Sequence, residues 1–277
     1  ARNGETVWTY ATGNKVFSVP FITSRLVVVT SCDGFVYALD KKDGSVRWRY
    51  DTGYPIVACP TVAGGNVYVG SSNGKFIDSR RAYIGTWGAM FYAIDRKTGE
   101  KVWKFDTGRG RYFSPGACWP VVLPYRKDGK SSEQVIVLSS DYFVRAFNPE
   151  DGKILWASDE AKGRESLGFS PDGKTMYVKG IRNNITAADI SKGSYTPLWD
   201  TLMPYESNFI PTRMETTEEY VFIPTEFGVV HAVRTDGSGI AWSHKVSHSA
   251  VTSLKNVGDH RLIVMTMDGT VTCLTYP

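Results

Sequence analysis

Arginine, tyrosine, tryptophan and glutamate are concentrated in a few segments between predicted strands of this chain. Such side chains suit an anionic ligand, a carbohydrate or a protein surface, because arginine makes paired hydrogen bonds to carboxylate or phosphate and aromatic rings offer flat apolar area. Solvated side chains that cover apolar surface are the other interpretation. The candidate binding residues are Arg80, Arg81, Tyr83, Trp87, Arg109, Arg111, Tyr112, Arg164, Glu165, Tyr205, Glu206, Asn208 and His248.

Glu165 and Glu206 are the candidate pair for catalysis. Two carboxyl groups about 5–10 Å apart can act as acid and base in hydrolysis, and Tyr205 and the arginines would flank them. Solvated acids on a loop are the alternative. The sequence has no H-E-x-x-H and no C-x-x-C motif, which are common sources of zinc ligands. Our preferred interpretation has no catalytic residue, no metal site and no cofactor.

The composition indicates a chain rich in strands and turns. Its 277 residues are 42% apolar and 13% aromatic, with 27 glycines and 13 prolines, which suits many short strands joined by turns. The net charge is +4 and no run of lysine and arginine exceeds two residues, so we do not expect a nucleic-acid partner. No apolar run approaches the ~18 residues of a membrane helix, so we expect no membrane span.

One short segment is repeated along the chain. The copies read GFVYALDKKDGSVRWRYDTG at 34–53, AMFYAIDRKTGEKVWKFDTG at 89–108 and, more weakly, DYFVRAFNPEDGKILWASDE at 141–160. In the first copy, Phe35, Tyr37 and Leu39 alternate with other residues, as in a strand. An acidic turn ending in glycine then leads to a second alternating segment that contains Trp48. Each copy therefore predicts a hairpin whose return strand carries a tryptophan.

A small residue precedes the tryptophan by ten positions in four copies, and by twelve in a stretched fifth. The pairs are Ala38/Trp48, Ala93/Trp103, Ala146/Trp156, Ala232/Trp242 and, stretched, Ala187/Trp199. The tryptophans recur at intervals of roughly 43–55 residues, and each interval holds two further strand candidates. Four strands at a period near 45 residues are typical of β-propeller blades. Each tryptophan is predicted to pack between blades.

The two chain ends together form one more copy. Residues 268–277 (DGTVTCLTYP) match the first strand of the hairpin, and residues 3–13 (NGETVWTYATG) match the second. We therefore predict that an N-terminal strand completes the C-terminal blade, which removes exposed sheet edges. The predicted fold is all-β, a single six-bladed β-propeller domain over 1–277 with four-stranded antiparallel blades. The blades span approximately 14–53, 54–108, 109–160, 161–203, 204–246, and 247–277 plus 1–13.

The hairpin resembles the pyrroloquinoline-quinone-type repeat of quinoprotein-like β-propellers. Residues 34–50 and 89–105 carry the pattern G-x-[VL]-[YF]-A-[LI]-D-x-x-[TD]-G-x-x-x-W-x-[FY] most fully, and 141–156 and 227–242 carry it in part. The stretch GFSPDGKTMYV at 168–178 also resembles the inner hairpin of TolB-like and WD-type blades. The resemblance implies the fold, but a fold does not dictate chemistry.

The resembled family contains two kinds of protein. Its quinoprotein dehydrogenases have eight blades, adjacent cysteines that form a disulfide beside the quinone, and a calcium site. Its non-catalytic members are scaffolds, such as the periplasmic lipoprotein of the outer-membrane assembly machine. The four cysteines of this chain, Cys32, Cys59, Cys118 and Cys273, are never adjacent. The chain departs from the dehydrogenase pattern in cysteines and in blade number, so it is placed in the non-catalytic branch.

The predicted site lies on one face of the propeller, where loops between blades meet loops between middle strands. We predict a non-catalytic binding module whose candidate residues surround the channel mouth and contact a protein partner, a glycan or an anionic small molecule. The resemblance implies an extracytoplasmic location, periplasmic or at the cell surface, and is compatible with an accessory domain of a larger protein. The alternative is a hydrolase or lyase, or a degenerate quinoprotein oxidoreductase, with a site at the same face.

The cysteines and histidines fit structural positions of the repeat. Cys273 aligns with the alanine of the other copies, so it is predicted to be a small buried residue. Cys59 and Cys118 are either a disulfide pair or free thiols. His231 takes the position of a tyrosine in the first two copies, so it is predicted to have a packing role.

Overall fold

The computed structural model describes residues 4–76, 83–84, 88–111, 119–204 and 212–277, and of residues 75–76, 83–84 and 164–165 it describes the strand alone. These described residues contain strands and no helix. The strands form six successive sheets, five with four strands and the last with three, and one short extra hairpin. This succession confirms the all-β, six-bladed prediction.

The first three sheets occupy residues 21–158. Sheet 1 contains β1 (Phe21–Ile22), β2 (Leu26–Thr30), β3 (Phe35–Asp40) and β4 (Val46–Asp51). Sheet 2 contains β5 (Thr61–Ala63), β6 (Asn66–Ser72), β9 (Ala89–Asp95) and β10 (Lys101–Asp106), with the hairpin of β7 (Lys75–Phe76) and β8 (Tyr83–Ile84) inserted between its middle strands. Sheet 3 contains β11 (Val121–Lys127), β12 (Lys130–Leu138), β13 (Val144–Phe147) and β14 (Ile154–Ser158).

The last three sheets occupy residues 163–275. Sheet 4 contains β15 (Gly163–Phe169), β16 (Thr175–Gly180), β17 (Asn184–Asp189) and β18 (Thr196–Leu202). Sheet 5 contains β19 (Glu215–Thr216), β20 (Tyr220–Pro224), β21 (Val229–Arg234) and β22 (Ile240–Lys245). Sheet 6 contains β23 (Val251–Gly258), β24 (Arg261–Thr266) and β25 (Val271–Thr275).

The predicted tryptophan hairpin forms the last two strands of the four-stranded sheets. In sheet 1, Ala38 lies directly opposite Trp48, and the register shifts at the next pair. Ala93 and Trp103 are paired in the same way in sheet 2. Ala38 is fully buried and belongs to the same core as Val69 of sheet 2. A small side chain at this position therefore lets consecutive sheets approach each other.

These tryptophans also reach the next hairpin along the chain. Trp48 donates its indole N–H to the Arg96 carbonyl at 2.8 Å, and a Cβ placed on Gly99 would lie 2.7 Å from its ring. Trp103 makes the equivalent bond to the Pro149 carbonyl at 2.9 Å. The repeated tryptophan is a packing residue that joins consecutive sheets, as predicted.

The chain forms two compact units, and each contains apolar cores. The first unit comprises residues 1–122, 135–141 and 147–153, and the second comprises residues 123–134, 142–146 and 154–277. Val36 and Phe91 belong to the cores of the first unit. Ile185 and Leu262 belong to those of the second. Burial of these apolar side chains is the main stabilising contribution to each unit.

The N-terminal segment differs from the predicted closing strand. Residues 4–20 contain no strand, and the last sheet consists of β23, β24 and β25 alone among the described strands. Trp8 nevertheless behaves as a hairpin tryptophan. It donates to the Lys41 carbonyl at 3.0 Å, and its ring lies against Gly44. The side chain thus makes the expected contact with sheet 1 without a backbone ladder.

Cys273 is exposed, whereas the repeat predicts a buried residue. It lies in β25, and the neighbouring Leu274 points to the opposite face, which packs with Phe222 of sheet 5. Ala38, at the aligned position, faces a following sheet. In the described part of the second unit no sheet follows sheet 6, so the Cys273 face has no apolar cover within that unit.

Candidate functional site

The structure describes only part of the predicted site. Arg109, Arg111 and His248 are described, and all three are exposed. Tyr83 lies in β8. Most of the other predicted residues lie outside the described residues, namely Arg80, Arg81, Trp87, Tyr112, Tyr205, Glu206 and Asn208. The grouping of these residues around one opening stays a prediction.

Arg164 and Glu165 lie in a strand, which corrects their predicted placement in a loop. They belong to β15, at a point where three of its residues face the single residue Lys179 of β16. This is a β-bulge, a feature that bends a strand and is common beside functional sites. Beyond the bulge the ladder resumes at Leu167, which is buried. The need to bury the following apolar residues explains why the chain is already extended here.

A carboxylate at the turn between β2 and β3 acts as a structural acceptor. Asp33 accepts the backbone N–H of Gly13 at 2.7 Å and that of Phe35 at 2.9 Å. It also accepts the Tyr37 hydroxyl at 2.7 Å. Burial, and then this hydrogen bond, raises the pKa of Tyr37 far above its usual value. Asp33 therefore holds the N-terminal segment and the turn together.

Asp268 has the same role in the last sheet. Its carboxylate accepts the Thr270 N–H at 3.1 Å and the hydroxyls of Thr266 and Ser247. These hydrogen bonds, first of all the one from Ser247, hold the pKa of Asp268 well below its usual range. The group is ionised at neutral pH, so it does not suit the role of a general acid.

The second unit contains a buried cation that the repeat pattern does not predict. Lys179 is 3% exposed, and its ammonium group donates to the Pro224 carbonyl at 3.4 Å. His231 is also buried, with Nδ1 2.7 Å from the Ser243 hydroxyl. Burial, and to a smaller extent Lys179, lowers the pKa of His231. A neutral, hydrogen-bonded imidazole fits the predicted packing role. The only sequence signal for the cation is a lone lysine in the strand TMYVKG.

Two short matches to enzyme motifs lie where one β-strand leads to the next. Residues 168–175 (GFSPDGKT) have the phosphate-loop spacing G-x-x-x-x-G-K-[ST], but that loop leads into a helix, whereas this segment joins β15 to β16. Residues 70–74 (GSSNG) have the nucleophile spacing G-x-S-x-G, which also requires a strand followed by a helix. Here Ser72 is buried, and its hydroxyl donates to the Gly74 carbonyl at 3.2 Å. Neither segment has the structural context that its chemistry requires.

Metal ligands are not grouped in the described part of the chain. Among those residues, no three His, Cys, Asp or Glu side chains are placed so that they could hold a metal ion. Cys32, Cys59 and Cys273 are free thiols, and Cys118 lies outside the described residues. The described part of the chain contains no helix that is long and apolar enough to cross a membrane.

Successive four-stranded sheets, joined by tryptophan side chains that contact the next hairpin, define the class of protein as a quinoprotein-like β-propeller. The crystal structure of BamB from Moraxella catarrhalis aligns with 98% of this chain and 73% of its own, with a TM-score of 0.72 and 20% sequence identity. This similarity confirms the predicted propeller fold.

The chain belongs to the family described as outer membrane protein assembly factor BamB, whose model matches residues 1–107 and 75–208. The Yersinia pestis protein of that name is 22% identical over 282 residues, which cover 99% of this chain and 65% of the relative. The Shewanella oneidensis protein is 19% identical over 100% of this chain and 65% of the relative. The chain thus spans 65% of the length of these relatives.

Quinoprotein dehydrogenases are similar to a smaller part of the chain. Quinoprotein alcohol dehydrogenase PedH of Pseudomonas putida is 25% identical over 70% of this chain and 31% of the relative. Such enzymes are expected to hold a quinone beside adjacent cysteines. The Cys32 thiol instead donates to the Ile56 carbonyl at 3.7 Å, and the Cys59 sulfur accepts the Val19 N–H at 3.2 Å. These two described cysteines therefore make separate contacts, and no quinone chemistry is assigned to this chain.

Proposed function

We propose that this chain is a non-catalytic scaffold that binds a protein partner during assembly of outer-membrane proteins. Membership of the BamB family carries the proposal, because the relatives that match nearly all of this chain are named as assembly factors. An extracytoplasmic location, periplasmic or at the cell surface, follows from the same reasoning. This chain spans 65% of the length of those relatives, so its protein partner and its location are proposed here together with its function.

The chemistry of the described turns supports binding over catalysis. An enzyme needs acids and bases that converge on a reacting atom, whereas a binding surface needs a rigid and complementary shape. Asp33 and Asp268 are both occupied as acceptors of hydrogen bonds from their own turns. These bonds hold the turns in a fixed conformation, as a binding surface requires.

The proposed contact surface is the predicted face that carries the candidate binding residues. Of the residues predicted for it, Arg109, Arg111 and His248 are exposed. Arginine is enriched in protein interfaces, because its guanidinium group can bind carboxylates through two hydrogen bonds. A glycan or an anionic small molecule would use the same groups, so the test must identify what is bound.

Site-specific photo-crosslinking tests the scaffold proposal. A benzophenone amino acid replaces Arg109, Arg111 or His248 in turn, and replaces Lys104 in a control, because Lys104 is exposed in β10 away from the turns. We expect the first three positions to crosslink to a protein of the outer-membrane assembly machinery, identified by mass spectrometry. Equal crosslinking from Lys104, or crosslinking from none of the positions, would contradict the proposal.

A quinone titration tests the oxidoreductase alternative that the dehydrogenase relatives suggest. Pyrroloquinoline quinone and calcium are added to the purified chain, and the quinone absorbance is followed. We expect no change in the spectrum and no alcohol-dependent reduction of a dye. A saturable spectral change with dye reduction would establish an enzyme and overturn the non-catalytic proposal.

A further inference from the structure

A cleft of about 620 Å³ lies in the first unit, at the end of β9 and the end of β1. The β1–β2 turn, the β3–β4 hairpin and the β9–β10 turn form its walls. Sites for small ligands commonly measure roughly 300–1,000 Å³. The residues that matter for its chemistry are Arg25, Asp40, Arg47, Trp48, Arg96 and Lys97.

The cleft has an excess of positive charge. Its single lining carboxylate, Asp40, is already paired with Arg47, whose Nε lies 3.0 Å from Oδ2. Among the described residues, Arg25, Arg96 and Lys97 make no ion pair with a carboxylate. Three cations are therefore left to attract an anion.

Asp95, the carboxylate that precedes Arg96 and Lys97 in the chain, accepts backbone hydrogen bonds. Asp95 lies at the end of β9, and its Oδ1 accepts the N–H groups of Lys97 and Thr98 at 2.8 Å each. Those two bonds, with a smaller contribution from the Lys97 charge, lower the pKa of Asp95. The Asp95 carboxylate thus stabilises the turn, and the cation of Lys97 stays available at the cleft.

Backbone hydrogen bonds hold the turns that carry the cations. The Arg96 N–H donates to the Gly65 carbonyl at 2.8 Å, and the Arg96 carbonyl accepts the Trp48 indole at 2.8 Å. The Arg25 carbonyl accepts the Lys41 N–H at 2.8 Å. A ligand would meet turns that are ordered before it binds, which reduces the entropy lost on binding.

The next junction along the chain has the same backbone bonds and lacks these cations. The bond from Lys41 to Arg25 corresponds to the bond from Arg96 to Gly65, and the bond from Trp48 to Arg96 corresponds to that from Trp103 to Pro149. In the second junction the positions of Arg25, Arg96 and Lys97 are occupied by Gly65, Pro149 and Glu150. The repeat therefore forms without the cations, and folding does not explain their presence.

We infer that this cleft binds an acidic peptide segment of a partner protein through its Asp or Glu side chains. A guanidinium group binds a carboxylate through two parallel hydrogen bonds. Cations on separate turns match several carboxylates spaced along a peptide better than one compact anion. Trp48 adds an apolar wall, because its N–H is already bonded to Arg96. The lining of the cleft contains none of the candidate binding residues, so this inference does not rest on the scaffold proposal.

Fluorescence anisotropy with a labelled hexaglutamate peptide tests the inference on the full chain. The variant Arg25→Gly/Lys97→Glu copies the residues of the next junction. We expect it to bind the peptide at least about tenfold more weakly than the wild type, because charge-assisted hydrogen bonds are lost and a repulsive carboxylate is gained. Undiminished binding would overturn the inference.

A control variant separates the cleft from general charge attraction. Lys104→Glu/Lys127→Gln makes the same change in net charge at exposed positions outside the cleft, and we expect its affinity to stay within about twofold of the wild type. An equal loss in this control would overturn the inference. So would displacement of the peptide by inorganic phosphate at a matched concentration of negative charge.

A single substitution keeps the test decisive if the double variant is less stable. Arg96→Gln removes one cation and leaves both backbone hydrogen bonds of Arg96 in place. Weaker peptide binding with an unchanged urea midpoint supports the inference, and unchanged binding contradicts it. The photo-crosslinking positions lie elsewhere, so failure of either proposal can be recognised separately.

Discussion

At the scale of single residues, small side chains decide how closely the sheets approach. Trp48 lies over Gly99, and Trp103 lies over Gly152, with no room for a Cβ at either glycine. The indole N–H of Trp48, its only polar side-chain group, donates to the Arg96 carbonyl in the same turn as Gly99. Replacing the tryptophan or the glycine of such a contact should lower stability, because the ring loses its packing and the indole N–H loses its hydrogen bond.

Gly99→Ala tests that contact. A Cβ at position 99 would lie 2.7 Å from the Trp48 ring, and Gly99 has φ +75°. We expect a loss of roughly 2–5 kcal/mol in the free energy of unfolding, from left-handed backbone strain and overpacking together. Urea unfolding followed by tryptophan fluorescence measures it.

Gly53→Ala is the matched control for this substitution. Gly53 has φ +77° with no atom within 4 Å of a Cβ, so it carries the backbone strain alone. We expect a loss of about 1–2 kcal/mol. Equal losses at the two positions would show that the tryptophan contact contributes nothing.

At the scale of elements, the repeated hairpin tolerates different residues at one position. The first two sheets have Tyr37 and Tyr92 there, and the fifth has His231. The tyrosines are buried, as is the histidine. The third and fourth sheets have Arg145 and Thr186 there, both buried. The position therefore accepts several polar side chains, and among them only histidine has an ordinary pKa near neutral pH.

His231→Tyr should remove a pH dependence from folding. Burial lowers the pKa of His231 from 6.5 in the folded chain, so the unfolded chain binds the proton more readily. The histidine's contribution to stability is therefore full above pH 6.5 and is lost as the pH falls below it, until the folded group is itself protonated. As the pH falls through this window, we expect the free energy of unfolding of the wild type to decrease relative to that of the variant.

His244→Gln is the control for that measurement. His244 is exposed in β22, and its replacement should leave the pH dependence of the wild type in place. Parallel stability curves for the wild type and His231→Tyr would contradict the assignment of a buried neutral imidazole.

At the scale of the whole molecule, repetition stops at the last sheet. Sheet 6 has three described strands, and its β25 exposes Val271 and Cys273. The aligned residues of sheet 1, Val36 and Ala38, are fully buried. The same sequence position is therefore core in sheet 1 and surface in sheet 6, because burial depends on what packs against that face of the strand.

Thiol labelling measures that difference. Burial raises the pKa of Cys32 and Cys59, so their thiolate fractions at pH 8 are reduced, while Cys273 is exposed. We expect iodoacetamide to modify Cys273 at least about tenfold faster than either of the other two. Peptide mapping by mass spectrometry resolves the three sites. Slow modification of Cys273 would show that its face is covered in solution.

Much of the fold could be predicted because the residue types within each short repeat identify its strands and turn. Period-2 alternation, the acidic turn and Trp48 identify each hairpin from within about twenty residues. The site was harder to predict. Arg164 and Glu165 lie in a bulge of β15, and a segment without alternation gives no sign of whether it is a loop or an irregular strand. The cleft of Arg25 and Lys97 joins turns from two sheets, and no local pattern reports such a meeting.

The sequence alone determined the tryptophan hairpins, the number of sheets and the structural role of the tryptophans, because each depends on contacts within or between adjacent repeats. Only the tertiary structure decided which cations share a cleft, which lysine is buried and that Cys273 is exposed. Those properties depend on what lies against a residue from elsewhere in the chain. A repeating sequence presents equivalent side chains in every sheet, and the neighbouring sheet determines whether each one becomes core, surface or site.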